Sequence, residues 1–504
     1  MTTAVGSRPR KTTSADGAPQ VADVFVIFGI TGDLAKVMTF HSLYRLEQRG
    51  LLNCPIIGVA VSDWSAADLR DHARSAIEDC GEKIDDEVFN RFAARLSYVS
   101  GDFGSDETYK RVAQAVGEAQ CPVFYLEIPP FLFGTVIKGL TEAGLTKTGR
   151  VVVEKPFGHD LESARALAQE IHQYIDESQL YRIDHFLGKM GLQEILYLRF
   201  ANVMFEPVWN RNYIDYIEIT AAETLGVENR AAFYEETGAL RDMVANHMLQ
   251  LLTLTAMEPP IAFDSDAVRE QKVQVLRSIH PMTKDQVAAR TIRGQYGPGT
   301  IDGEPVQGYR QEEGVNPNSN TETYVAVEFH VNNWRWAGVP FYVRAGKRLS
   351  RPLTEVAVHF KRTPQALFSQ RPEDVHHNVV ALRIQPNEGI SLTFGAKTPG
   401  QHMRASIVTM DFSYRDTFGA ATPVAYETLL LDAMRGDATL FTRRDEVESE
   451  WRIITPIEEA WAQLPPPRFA NYAAGSEGPP EADELIQYDR HRWRPLEDKD
   501  GWRL

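Results

Sequence analysis

Asp23-Val24-Phe25-Val26-Ile27-Phe28-Gly29-Ile30-Thr31-Gly32-Asp33-Leu34-Ala35-Lys36 is the stretch whose reading decides the fold. Its β-branched and aromatic run, halted at Gly29, reads as a buried parallel strand. A helical pattern follows through Phe40, Leu43, Tyr44 and Leu46. Strand, glycine turn and helix form a phosphate-binding arrangement. The glycines let the backbone approach a pyrophosphate, and the helix N-terminus supplies free N–H groups. The spacing is G-x-x-G, not the full G-x-G-x-x-G, so a plain tight turn fits these residues about as well.

The neighbouring chain supports the nucleotide reading. A second strand, Pro55 to Ala60, ends in Val61-Ser62-Asp63, which belongs near an adenosine ribose. A third, Val123 to Ile128, runs into Pro129-Pro130, and a fourth, Arg150 to Lys155, stops at Pro156-Phe157-Gly158. Helical patterns lie between them, as at Ala66 to Glu78 and Leu161 to Ile175. Alternating strands and helices predict a mostly parallel, doubly wound sheet of Rossmann type.

After about Phe200 the pattern changes. Tyr213 to Ala222 alternates like a half-buried strand, and Gly238 to Met257 reads as one long buried helix. Thr323 to Val331, Val339 to Arg344, Glu355 to Phe360 and Val379 to Ile384 follow as strands without comparable helices between them. That implies a mainly antiparallel sheet in an α+β domain. Pro465-Pro466-Pro467 and the stretch Gly475 to Glu481 predict an exposed C-terminal loop. The expected organisation is a disordered tail over 1–20, a dinucleotide-binding domain over 21–184, and an α+β substrate-binding and oligomerisation domain over 185–504.

The chain has 504 residues, ample for two or three domains, and a net charge of -16. That charge disfavours nucleic acid or an anionic membrane surface as a partner. No apolar run approaches transmembrane length. The N-terminus lacks the apolar core of a secretory signal. Cys54, Cys80 and Cys121 are the only cysteines and have no metal-like spacing, which fits a reducing compartment. A cytoplasmic protein without a bound metal is expected.

Chemistry concentrates at Tyr181-Arg182-Ile183-Asp184-His185-Phe186-Leu187-Gly188-Lys189-Met190, where a strand end turns into a helix. Asp184 can orient a base, and His185 and Lys189 can hold an anion. A salt-bridged turn is the simpler account of an isolated Asp-His pair. His247 lies in so apolar a helix that a satisfied core histidine is its default reading.

Six motifs in order change that balance. They are Gly-Ile-Thr-Gly-Asp-Leu-Ala-Lys at 29–36, Glu-Lys-Pro-Phe-Gly at 154–158, Arg-Ile-Asp-His-Phe-Leu-Gly-Lys at 182–189, Leu-Arg-Asp-Met-Val-Ala-Asn-His at 240–247, Arg-Gly-Gln-Tyr-Gly at 293–297 and Val-Arg-Ala-Gly-Lys at 343–347. With them the chain resembles the glucose-6-phosphate dehydrogenase family from about Val24 to Asp483. The resemblance implies hydride transfer from C1 of glucose 6-phosphate to NADP, giving a lactone. It makes His247 the general base and Asp184 the carboxylate that orients it. His185 and Lys189 match phosphate ligands, Lys155 and Lys347 match lysines on the substrate, and Glu223 and Asp242 match acceptors for sugar hydroxyls. Gly29, Thr31, Gly32, Asp33, Leu34, Ser62, Pro129 and Lys155 match the cofactor site. A homodimer or homotetramer joined through the large sheet is implied as well.

Five positions depart from the family pattern. Met38 stands for a lysine, Val61 for an arginine that grips the 2′-phosphate, Phe186 for a tyrosine, Met190 for a glutamate and Ala245 for a glutamine. Without the guanidinium at 61, NADP selectivity must come from Thr31, Ser62 or another basic group, and use of NAD stays open. With Phe186 in place of a tyrosine, a hydroxyl hydrogen bond to a charged group is lost, worth roughly 1.5–3 kcal/mol.

Overall fold

The computed structural model describes residues 20–365, 367–368, 377–400, 403, 405–419 and 423–496. The expected disordered tail, apart from Gln20, lies outside them. Among the described residues of the first half, six strands form one parallel sheet. They are β1 (Val24–Phe28), β2 (Ile56–Ala60), β3 (Leu96–Ser100), β4 (Pro122–Leu126), β5 (Arg150–Val153) and β6 (Leu180–Arg182), in the order β3-β2-β1-β4-β5-β6. Every pairing is parallel. The order reverses between β1 and β4, and there the carboxyl ends of the strands open a crevice for ligands.

Strands β1, β2, β4 and β5 are buried along their whole length, which is why they read as continuous apolar runs. β3 is not expected from the sequence, and β6 only as the strand end before the Asp-His turn. β3 is largely half-exposed and carries little apolar signal, whereas β6 has only three residues. The helix expected over Leu161 to Ile175 ends at Ile171. One face of the sheet is covered by helices of the first half together with Tyr426, Leu429, Leu430, Ala433, Met434 and Phe441. The Ala425–Arg435 helix therefore returns from the far end of the chain to finish this core.

The second half carries an eight-stranded sheet among its described residues. Its strands are β7 (Ile214–Ala222), β8 (Thr291–Gly294), β9 (Tyr324–His330), β10 (Pro340–Gly346), β11 (Leu353–Phe360), β12 (Val379–Gln385), β13 (Gly389–Lys397) and β14 (Ala405–Ser413). The order is β14-β13-β12-β11-β7-β10-β9-β8, antiparallel except for the parallel pair β7 and β10. Helices Met190–Phe200, Leu249–Ala256, Ser265–Arg277 and Arg444–Gln463 pack on one face.

Two expectations need correction. The long helix over Gly238 to Met257 is not uniform: Gly238 breaks it at φ +63, Leu240–Met248 winds as a π-helix, and Leu249–Ala256 is α. Apolar spacing alone does not separate these windings. The stretch Gly475 to Glu481 is not a free loop. Gly475 N–H donates to Arg348 at 2.8 Å, and Ser476 accepts from Ser350 at 2.9 Å. Those backbone bonds pin a Gly/Pro-rich segment that composition alone marks as exposed.

Candidate active site

Asp184 and His247 are 63 positions apart, and the fold brings them together. Asp184 leaves the end of β6, and His247 sits on the π-helix. His247 Nδ1 lies 2.5 Å from Asp184 Oδ1, with both side chains buried. That oxygen also accepts the Phe186 N–H at 2.9 Å, which fixes the carboxylate. With Nδ1–H donated to Asp184, the lone pair of His247 is left on Nε2.

Nε2 is the working face. Lys155 Nζ approaches it at 2.9 Å and donates to the Asp242 carbonyl at 3.0 Å and carboxylate at 3.3 Å. The π winding explains this meeting. Residues five apart share a face of a π-helix, so Asp242 and His247 both turn towards Lys155. An α-helix would splay them by more than a third of a turn.

The electrostatics favour a neutral base beside an ionised carboxylate. Burial resists ionisation of Asp184, but the His247 bond and the charges around it outweigh burial and hold the carboxyl well below its usual range. Burial pushes His247 below an ordinary imidazole, with Asp184 pulling the other way and Lys155 adding to the fall. His185 is also pushed well down, first by burial and then by His247. Burial lowers Lys189 to about 8, against the pull of Asp184, Glu223 and Glu388. Asp242 is held low by Lys155 and Lys347 in spite of its burial. Asp184, His185 and His247 also bring ligand-type atoms within 4.8 Å of one another, and the nearest two are spent on each other.

The other expected substrate residues converge on the same place. β7 and β10 run parallel with Ala222 opposite Gly346. Their next residues, Glu223 and Lys347, therefore emerge side by side, and Lys347 Nζ donates to Glu223 Oε2. Lys189 donates to Gln385 and stands 3.8 Å above the Phe186 ring, which in turn stacks on His247 at 4.1 Å. The ring of Phe186 thus packs between the ammonium and the imidazole.

On the opposite flank, Gly29 takes φ +86, and a Cβ there would lie 2.2 Å from the Glu127 carbonyl oxygen. Only glycine fits this turn, which closes with Gly32 N–H donating to the Gly29 carbonyl at 2.8 Å. Thr31, Gly32, Asp33 and Leu34 form the turn and the start of the helix. Ser62 and Pro129 stand at the ends of β2 and β4, the two neighbours of β1. The Ser62 hydroxyl donates to Thr31 Oγ1 at 3.4 Å. Close backbone approach, helix start and flanking strand ends fit a dinucleotide.

The five departures fall in distinct settings. Val61 is 65% exposed at the end of β2, and Met38 packs partly buried on the first-half core. Met190 opens the helix after the Asp-His turn, and Ala245 is buried on the π-helix. Sequence reasoning did not single out Gln385, nor Tyr426, whose ring lies parallel to His185 at 6.4 Å. It also missed Tyr234, whose ring lies 5.3 Å from Lys347 Nζ. None of the three carries a motif.

Residues 26–194 match the model of the glucose-6-phosphate dehydrogenase NAD binding domain, and residues 196–494 that of the C-terminal domain. The chain belongs to the glucose-6-phosphate dehydrogenase family. It is 44% identical to glucose-6-phosphate 1-dehydrogenase of Aggregatibacter actinomycetemcomitans, over 93% of this chain and 96% of that protein. The enzyme of that name from Bacillus subtilis (strain 168) is 43% identical, over 93% and 98%. Among solved structures, the enzyme from Mycobacterium avium superposes with TM-score 0.83 at 42% identity, covering 95% of this chain and all of the other. A family structure in complex with its substrate glucose-6-phosphate gives TM-score 0.87 at 35% identity, covering 94% and 100%. The Rossmann-like sheet and the mostly antiparallel second sheet are those of the family.

Proposed function

We propose that the chain oxidises D-glucose 6-phosphate at C1 to 6-phospho-D-glucono-1,5-lactone, the first step of the oxidative pentose phosphate pathway. The observation that carries this is the Asp184–His247 bond, which leaves Nε2 as a free base beside Lys155. NADP, when bound, supplies the acceptor for the hydride. His247 Nε2 takes the proton of the C1 hydroxyl, and Asp184 stabilises the imidazolium that forms. Lys155, displaced from Nε2 by substrate, stays near the reacting oxygen. His185 and Lys189 hold the phosphate, Lys189 as the ammonium. Glu223 and Asp242 accept sugar hydroxyls, and Lys347 holds Glu223 in place. Gly29, Thr31, Gly32, Asp33, Leu34, Ser62 and Pro129 receive the dinucleotide.

The test is the absorbance of reduced cofactor with glucose 6-phosphate and either NADP or NAD. A signal that requires this sugar phosphate and disappears in His247→Asn supports the reading. No signal with either cofactor points to a non-catalytic paralogue, and faster turnover of another sugar phosphate to a different substrate.

We further infer a homodimer or homotetramer working in the cytoplasm. β14 ends its sheet at an open edge and exposes Val408 and Met410, an arrangement that invites a partner. No helix among the described residues is long and apolar enough to cross a membrane. Light scattering on the purified protein tests the assembly, and a monomeric mass at micromolar concentration would count against it.

A further inference from the structure

At the carboxyl edge of the parallel sheet, β4 and β5 each run out into a glutamate. The last rung between them pairs Leu126 with Val153, so Glu127 and Glu154 are the next neighbours. They lie two residues beyond Tyr125 and Val152, which face the same core, and both carboxyls therefore point to that one side of the sheet. Glu127 is also the next neighbour of Gly29, because β1 pairs Phe28 with Leu126. Two half-buried acids thus lie side by side beneath the glycine turn.

Their hydrogen bonds are unequal. Glu154 Oε1 accepts from the Tyr125 hydroxyl at 2.6 Å and from the Tyr426 hydroxyl at 3.2 Å, with Lys155 next in sequence. Glu127 Oε1 accepts from Thr39, on the helix that leaves the glycine turn, while its Oε2 is buried without a partner. Adjacent buried carboxyls do not both ionise, and the one with fewer donors keeps the proton. Burial raises Glu127 to about 8, with Thr39 and Tyr125 opposing and the charge of Glu154 adding to the rise. Burial raises Glu154 to about 7, its two tyrosines and Lys155 opposing and Asp184 adding.

We infer that Glu127 and Glu154 form a one-proton pair belonging to the dinucleotide site, and that cofactor binding takes up a proton there when the free protein has lost it. The inference rests on the dinucleotide reading of the glycine turn. A pyrophosphate at that turn meets a neutral acid while Glu127 keeps its proton, and a carboxylate once it is lost. The sign follows: affinity is flat below the titration of the pair and falls as pH rises through about 8. The other titratable groups facing the pair are Tyr125, Tyr426, Lys155, Asp184 and, across the Tyr426 ring, His185. Asp184 stays charged and both phenols stay protonated over this range.

Calorimetric titration of the full chain with NADP alone tests this at pH 7.5, 8.5 and 9.5, in buffers of different ionisation enthalpy. The range lies above the last titration of a phosphate monoester. The expected result is uptake of about half a proton at pH 8.5 and about a tenfold weaker Kd at pH 9.5 than at 7.5. Glu127→Gln should abolish both the uptake and the slope. Glu154→Gln should move the alkaline fall to lower pH, because Glu127 loses the charge that holds its proton. A wild type with no uptake at pH 8.5, or Glu127→Gln with an unchanged slope, overturns the proposal. Absence of NADP binding at all three pH values overturns the dinucleotide reading, and the pair's role with it.

Discussion

The ends of β6 and β2 belong to the same sheet and serve the same crevice, yet they are built in opposite ways. Beyond β6, Asp184, Phe186 and Lys189 are locked by a carboxylate–imidazole bond, a ring stack and an ammonium over that ring. Beyond β2, Val61 is 65% exposed, and Ser62 makes one long hydroxyl bond to Thr31. The first end has charges in a dry site, where each interaction is strong and each loss severe. The second is open to water, where a charge gained or lost matters little. Substitutions at the two ends should therefore differ in effect by orders of magnitude.

The largest effect is expected at the base. His247→Asn should lower kcat by about 10²–10⁴-fold with little change in KM for the sugar phosphate. Asp184→Asn should approach the same loss, since an amide donating to Nδ1 reverses the imidazole tautomer. If the two act as one unit, the double variant should be no slower than His247→Asn alone. Fully multiplicative losses in steady-state kinetics would show that Asp184 does not work through His247. The resting imidazole is held below its ordinary value, so it is neutral above its own titration and charged below it. The acid limb of kcat/KM for the free protein should accordingly fall below about pH 6.5. A limb centred above that would contradict the burial argument.

Lys189 comes next. Removing one charge-assisted bond to a phosphate costs about 1.5–3 kcal/mol, so Lys189→Ala should raise KM about 10–100-fold and touch kcat less. Its ammonium is present below about 8 and lost above it. KM for glucose 6-phosphate should therefore climb as pH rises through that value. Lys189→Arg keeps its charge, and its KM profile should stay flatter. An identical alkaline climb in both proteins would move the titration to another group.

Much of this was legible in the sequence where the signal is local. Four continuous apolar runs, the glycine turn and the change to alternating strands after Phe200 gave the two sheets and their order of appearance. The residues of the Asp-His turn and of the π-helix were legible through six motifs, and the fold brings them together. Other features depend on register or winding, which no local pattern encodes. The pairing of Glu223 with Lys347 follows from two parallel strands more than a hundred residues apart. The side-by-side acids Glu127 and Glu154 follow from one rung of β4 on β5. The π winding that turns Asp242 and His247 to one lysine looks, in sequence, like any apolar helix. The return of Tyr426 to the first-half core joins segments hundreds of residues apart.

Val61→Arg should give the smallest effect, and it sharpens the contrast. A guanidinium at this position would offer a partner for a 2′-phosphate. Its setting limits its worth: at 65% exposure the charge stays hydrated, and an exposed ion pair contributes about 0.2–1 kcal/mol. The ratio of kcat/KM for NADP over NAD should then rise by no more than about fivefold. Measuring both cofactors at two salt concentrations checks the reasoning, because an exposed pair weakens with ionic strength. A rise of a hundredfold would mean that the bound nucleotide buries this corner, and that the open end of β2 closes into a site as dry as the end of β6. An unchanged ratio would mean that the 2′-phosphate lies elsewhere, and that selectivity comes from Thr31 and Ser62 or from no group on this flank.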